Sequence, residues 1–114
     1  MFAMVIQGGT TPAQRDDMNQ AVTESLIPAL VQEAGFRGAV NLEDRSTGHG
    51  MMLIFWDTEE QALRPPSSPA LLKALSAILR ISTGERAPAS CWRVNAVQFD
   101  SGAEEPTSKG VRAV

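Results

Sequence analysis

The sequence predicts an α+β domain whose elements run β-α-β-β-α-β, and three observations predict it. Segments of strand length rich in bulky apolar residues lie at 2–7, 37–44, 51–56 and 91–99, each closed by glycine or polar residues. Two longer stretches between them, entered at Thr11-Pro12 and Ser68-Pro69, repeat their apolar residues at spacings of three and four. The 114 residues, 43% hydrophobic and 20% charged, suit one core of the roughly 100–200 residues a domain organises. That composition excludes wholesale disorder and a coiled coil.

The first segment, Phe2 to Gln7, is too short for a capped helix and stops at Gly8-Gly9, so it reads as a strand. Thr11, Pro12 and Gln14 then predict a capping box with proline at the first helical position. Met18, Ala21, Val22, Ser25, Leu26, Ala29 and Leu30 form the apolar stripe of the helix that follows. Its polar face is Gln14, Asp17, Gln20, Glu24 and Glu33. Pro28 clashes with the Glu24 carbonyl and lacks an N–H, which predicts a kink or restart, and Gly35 is placed to close the helix in the left-handed conformation. Arg37 to Asp44 alternates, with Val40 and Leu42 on one side and Ala39, Asn41 and Glu43 on the other. It returns through a Gly-containing loop of about five residues into Met51 to Trp56, an antiparallel hairpin. Asp57 to Gln61 caps a short helix that Pro65-Pro66 breaks. Ser68-Pro69 opens the next, with Leu71, Leu72, Leu75, Ile78 and Leu79 as its stripe. Cys91 to Phe99 is expected as the last strand, sharing Arg93 and Asn95 on one face. Residues 1–100 thus form a single ferredoxin-like domain, a four-stranded antiparallel sheet with both helices on one face. Residues 101–114, rich in Gly, Pro, Ser, Glu and Lys, are expected as a flexible tail.

Ten Lys and Arg against thirteen Asp and Glu give a net charge of −3, which argues against nucleic acid and anionic membrane as partners. One Cys, Cys91, and one His, His49, leave no intrachain disulfide and no metal-ligand cluster, and no metal is expected. Gly8-Gly9 is not followed by the Lys of a phosphate loop. The first six residues lack the basic flank and length of a targeting segment, which with the cysteine usage fits a cytoplasmic protein.

The third strand is apolar on both sides: Met51, Leu53 and Phe55 on one, Met52, Ile54 and Trp56 on the other. The first repeats this with Phe2, Met4 and Ile6 against Ala3 and Val5. Strands apolar on both sides need cover on both, and two helices cover only one. A large side chain is worth roughly 1.5–3 kcal/mol when buried, so a second copy packed sheet against sheet is the expected partner. Folding back of the tail is the weaker alternative, since it offers only Val111 and Val114.

Glu33-Ala34-Gly35-Phe36-Arg37-Gly38 closing the first helix, a strand ending in Asp44, a Thr47-Gly48 turn, and Phe55-Trp56-Asp57-Thr58-Glu59-Glu60-Gln61-Ala62 together resemble the dimeric α/β-barrel superfamily, and within it the antibiotic biosynthesis monooxygenase type of domain. The resemblance covers about residues 1 to 100. It implies a homodimer and a small aromatic substrate oxidised by dioxygen without a cofactor. Haem-degrading members of the superfamily use a helical His, whereas the His here is in the hairpin turn, and the Tyr of polyketide-acting members is missing.

The residues left for chemistry are Arg93 and Asn95, which could hold an enolate or phenolate oxygen, and His49, able to carry protons near neutral pH. Trp56, Asn41 and Met52 are expected to line a ligand site. Each has a plainer role: Trp56 and Met52 as core, Arg93 as a solvated or Glu43-paired side chain, and His49 as a surface imidazole. Two functions follow, a cofactor-independent monooxygenase-like enzyme or a non-catalytic dimeric module that binds a small apolar ligand.

Overall fold

The computed structural model describes residues 1–83 and 88–99; the expected tail at 101–114 lies outside the described residues. Four strands, β1 (Phe2–Gly9), β2 (Phe36–Glu43), β3 (His49–Trp56) and β4 (Ser90–Arg93), form one antiparallel sheet in the order β2-β3-β1-β4. This is the predicted ferredoxin-like topology. Register places Phe2, Met4 and Ile6 beside Trp56, Ile54 and Met52. These residues face the helices and form the core with Val22, Leu26, Leu30, Leu71 and Ala74.

The first helical region begins differently from the capping box. Pro12–Gln14 is a 3-10 turn, and the Thr11 hydroxyl donates to Gln14 Oε1 at 3.2 Å instead of accepting a backbone N–H. Helix α1 (Arg15–Ala21) runs into a π-helical turn at Val22–Leu26, and α2 (Ile27–Val31) completes the region. The disturbance expected of Pro28 takes the form of that π turn. Pro28 has no N–H to give the Glu24 carbonyl, and the Ile27 N–H reaches back five residues to the Val22 carbonyl.

Gly35 has φ +84°, and a Cβ there would collide with the Gln61 side chain. That side chain belongs to the capping box of α3 (Glu59–Leu63), where the Thr58 hydroxyl accepts from the Gln61 N–H and Gln61 Oε1 accepts from the Thr58 N–H. Gly35→Ala should therefore cost about 2 kcal/mol, combining the left-handed penalty with disturbance of the cap. Urea unfolding should show the lower midpoint with an unchanged slope.

Helix α4 (Pro69–Ile81) starts on the Ser68 hydroxyl, which accepts from the Leu71 N–H at 3.2 Å. Leu71 and Ala74 are buried, and Leu75, Ile78 and Ile81 pack on the core. Leu72 and Leu79 are exposed, because they lie one helical step outside that stripe.

The far side of the sheet carries Ala3, Val5, Met51, Leu53 and Phe55, with Val40 and Leu42 opposite Leu53 and Met51. No helix among the described residues covers it. The last strand is shorter than the expected 91–99: pairing with β1 stops at Arg93, opposite Phe2. Residues 94–97 instead border a hollow with Ala3, Val5 and Leu53, and Val97 and Phe99 border another with Val40 and Phe55. Trp92, Val97 and Phe99 remain exposed. No helix of the described residues is long and apolar enough to cross a membrane.

Candidate functional site

The space between sheet and helices holds two neighbouring cavities that share Ile6, Leu26 and Leu75. The first, about 270 Å³, has Trp56, Ile54, Leu30 and Leu71 as apolar walls and Glu33, Gln61 and Arg64 among its polar lining. Trp56 is fixed there by an edge-on contact with Phe36, the ring centroids 6.0 Å apart. The register shift of β2 between Phe36 and Gly38 lets Phe36 face Trp56 on the helix side while Gly38 meets Phe55 on the other.

The second cavity, about 300 Å³, is lined by Met18, Val22 and Ile78 and by the polar groups Arg15 and Asn41. Asn41 and Met52 are opposite each other on β2 and β3, so the structure brings these two predicted binding residues together. Trp56 belongs to the adjoining cavity.

A polar network edges the second cavity. Arg15, only 3% exposed, donates from Nε to Glu43 Oε2 at 2.7 Å and from Nη2 to Asn19 Oδ1 at 3.2 Å. The Asn19 amide donates to the same Glu43 oxygen at 2.8 Å, and Asn41 donates to Asn19 Oδ1 at 3.2 Å. The other Glu43 oxygen pairs with Arg45 Nε at 2.6 Å. Burial alone would raise the Glu43 carboxyl, but hydrogen bonds from Asn19 and Arg15 and the charges of Arg45 and Arg15 outweigh it and hold the group below its ordinary value. A depressed folded-state pKa contributes stability that is present above the unfolded value, about 4.3 for Glu, and is lost as pH falls through the folded one. Thermal unfolding should show a drop in Tm on acidification below about pH 4, and Glu43→Gln should flatten that acid limb.

The residues assigned to catalysis lie elsewhere. Arg93 and Asn95 are both exposed and line neither sheet–helix cavity. Their expected common face depended on a strand through residue 99. With pairing ended at Arg93, Arg93 stands at the end of the sheet and Asn95 borders the hollow on the open face. Glu43 takes Arg15 and Arg45 as partners in place of the expected Arg93. His49 is exposed at the start of β3, where its N–H donates to the Thr47 hydroxyl at 3.1 Å. Cys91 packs against the core, and burial, with the Glu59 charge adding to it, raises its thiol pKa, so the group stays protonated. Among the described residues no group of His, Cys, Asp and Glu is arranged to hold a metal ion.

Sequence reasoning missed Arg15 and Asn19. The trace was present: Arg15 continues the spacing of Met18, Val22 and Leu26, a charge in an apolar stripe, and neither residue belongs to the helix's polar face.

No family model matches the sequence, and no curated protein does. Solved structures do. A Bordetella bronchiseptica protein described as a candidate antibiotic biosynthesis monooxygenase is similar over 83% of this chain and 97% of its own, with a TM-score of 0.71 and 9% identity. A monooxygenase from the gene ActVA-Orf6 of Streptomyces coelicolor, solved with the ligand nanaomycin D, matches over 88% of this chain and 92% of its own, at a TM-score of 0.70 and 14% identity. A Deinococcus radiodurans protein, also described as a candidate antibiotic biosynthesis monooxygenase, covers 89% of this chain with all of its own, at 0.66 and 17%. The chain has the α+β ferredoxin-like fold of these monooxygenase-like proteins.

Proposed function

We propose that the protein is a monooxygenase-like homodimer that holds a small aromatic molecule between sheet and helices and oxidises it with dioxygen, without a bound cofactor. The observation that carries this reading is the apolar space walled by Trp56, in a fold whose neighbours include a monooxygenase solved with nanaomycin D. Pockets for small molecules are concave and mostly apolar, with few polar groups, and this space has that character. Oxidation of a ring CH₂ to a carbonyl takes one O₂: one oxygen enters the product, the other leaves as water with the two hydrogens lost from carbon. All four electrons come from the substrate. Anthrone, which gives anthraquinone and water in this way, is the test compound. Oxygen uptake equal to anthraquinone formed, and reduced at least about tenfold in Trp56→Ala, is the expected result. Uptake no faster than in buffer ends the oxidation reading.

The second reading, a dimeric binding module without turnover, is favoured by the lining of the two cavities. Among the described residues it includes no His, Cys or Tyr to carry a proton at neutral pH. Binding of an aromatic ligand without oxygen uptake would select it.

Dimerisation through the open sheet face is common to both. Its support is the row Val5, Leu53, Phe55 and Leu42, together with the exposure of Trp92 at 61% and Phe99 at 59%. Light scattering should give a dimer at micromolar concentration, and Leu53→Asp should give a monomer, since a carboxylate there would be desolvated without a partner. A monomeric parent protein would refute the interface.

A further inference from the structure

Gly8 and Gly50 stand opposite each other on β1 and β3, on the helix side of the sheet. Lacking side chains, they leave bare backbone lining the 300 Å³ cavity. The Arg15 guanidinium lies over that backbone: a Cβ on Gly50 would be 2.6 Å from Arg15 Nη1. Nε and Nη2 are engaged by Glu43 and Asn19. Nη1, with two N–H donors, has no protein acceptor among the described residues, although the side chain is 96% buried, being only 4% exposed. Glu43 does not neutralise the cluster by itself, because Arg15 and Arg45 share its carboxylate. Asp16 reaches Arg45 only at the exposed surface, at 3.4 Å. Nη1 is the part of this largely buried guanidinium that stays accessible, and a free cationic edge beside an apolar cavity is the complement of an acidic oxygen.

We propose that this cavity binds a small aromatic acid, with its rings against Met18, Val22, Leu75 and Ile78 and its carboxylate or phenolate oxygen accepting from Arg15 Nη1. The proposal rests on the reading that the sheet–helix space takes a small aromatic molecule, and it adds the class of that molecule. Arg15 would act as the binding group for the charged end, and the Gly8–Gly50 pair as the gap that admits the ring.

Calorimetric titration of the full chain with 2-naphthoate, 2-naphthol and the neutral 2-naphthamide tests it. One of the two acidic compounds should bind about tenfold more tightly than the amide; naphthoate as the preferred ligand assigns a carboxylate, naphthol a phenolate. The preference should vanish in the double variant Arg15→Met, Glu43→Gln, which removes both charges of the pair. Gly8→Val, at a position without positive φ, keeps Arg15 and should weaken all three compounds about tenfold at an unchanged Tm. Equal binding of acid, phenol and amide, binding of none, a preference that survives in the double variant, or undiminished binding in Gly8→Val overturns the proposal. Naphthoate binding without oxygen uptake from anthrone removes only the oxidation reading, and uptake with equal binding of acid and amide removes only this one.

Discussion

Trp56→Ala is expected to destabilise the fold by about 3–5 kcal/mol, the range for deleting a large aromatic from a core. Trp56 is 8% exposed, edges onto Phe36 and walls the first cavity. Truncation therefore removes apolar burial and the ring contact together, and it enlarges a space the helices cannot collapse into without disturbing Leu30 and Leu71. Urea unfolding measures the loss. Trp56→Phe should recover more than half of it, because the phenyl ring keeps most of the burial. A loss below about 1 kcal/mol would mean that the Trp56 side chain is not packed as described.

Arg15→Met is expected to cost about 3 kcal/mol, the lower end of what breaking a buried pair costs. Two features keep it at that end: Glu43 retains Asn19 and Arg45 as partners, and its side chain is 20% exposed. Adding Glu43→Gln should restore much of the loss, since an amide in that position no longer needs a cation. A double variant no more stable than Arg15→Met would show that the guanidinium matters through packing over Gly50 and not through its charge. The thermal unfolding of the three variants decides this.

The fold was legible because its signals are local. Ser68, Thr58 and Gly35 each end or begin an element through their own side chain or dihedral, and the alternation of β2 and β3 set their faces. The site was less legible because its residues are joined by pairing and packing. Arg15 and Glu43 are 28 positions apart, and nothing in either neighbourhood names the other. Residues 94–99 mislead for a related reason. Val94, Ala96 and Val97 look like strand, yet β1 begins at Phe2 and gives β4 no partner beyond Arg93. Asn95 was placed by an alternation that needs a ladder, and the ladder ends before it.

The seat of the Arg15 guanidinium against Gly50 has a consequence for heredity. Any side chain at position 50 would have to displace Nη1 from 2.6 Å, while Nε and Nη2 are tethered to Glu43 and Asn19. A codon change at 50 thus asks residue 15 either to swing its guanidinium away from Glu43 and Asn19 or to be shorter, whereas residue 15 can change with Gly50 in place. The two positions form a coupled pair in which glycine at 50 leaves residue 15 free to vary, while a side chain at 50 does not leave the guanidinium where it is. Descendants that keep an arginine at 15 in its hydrogen bonds to Glu43 and Asn19 should keep glycine at 50, however far the rest of the chain drifts.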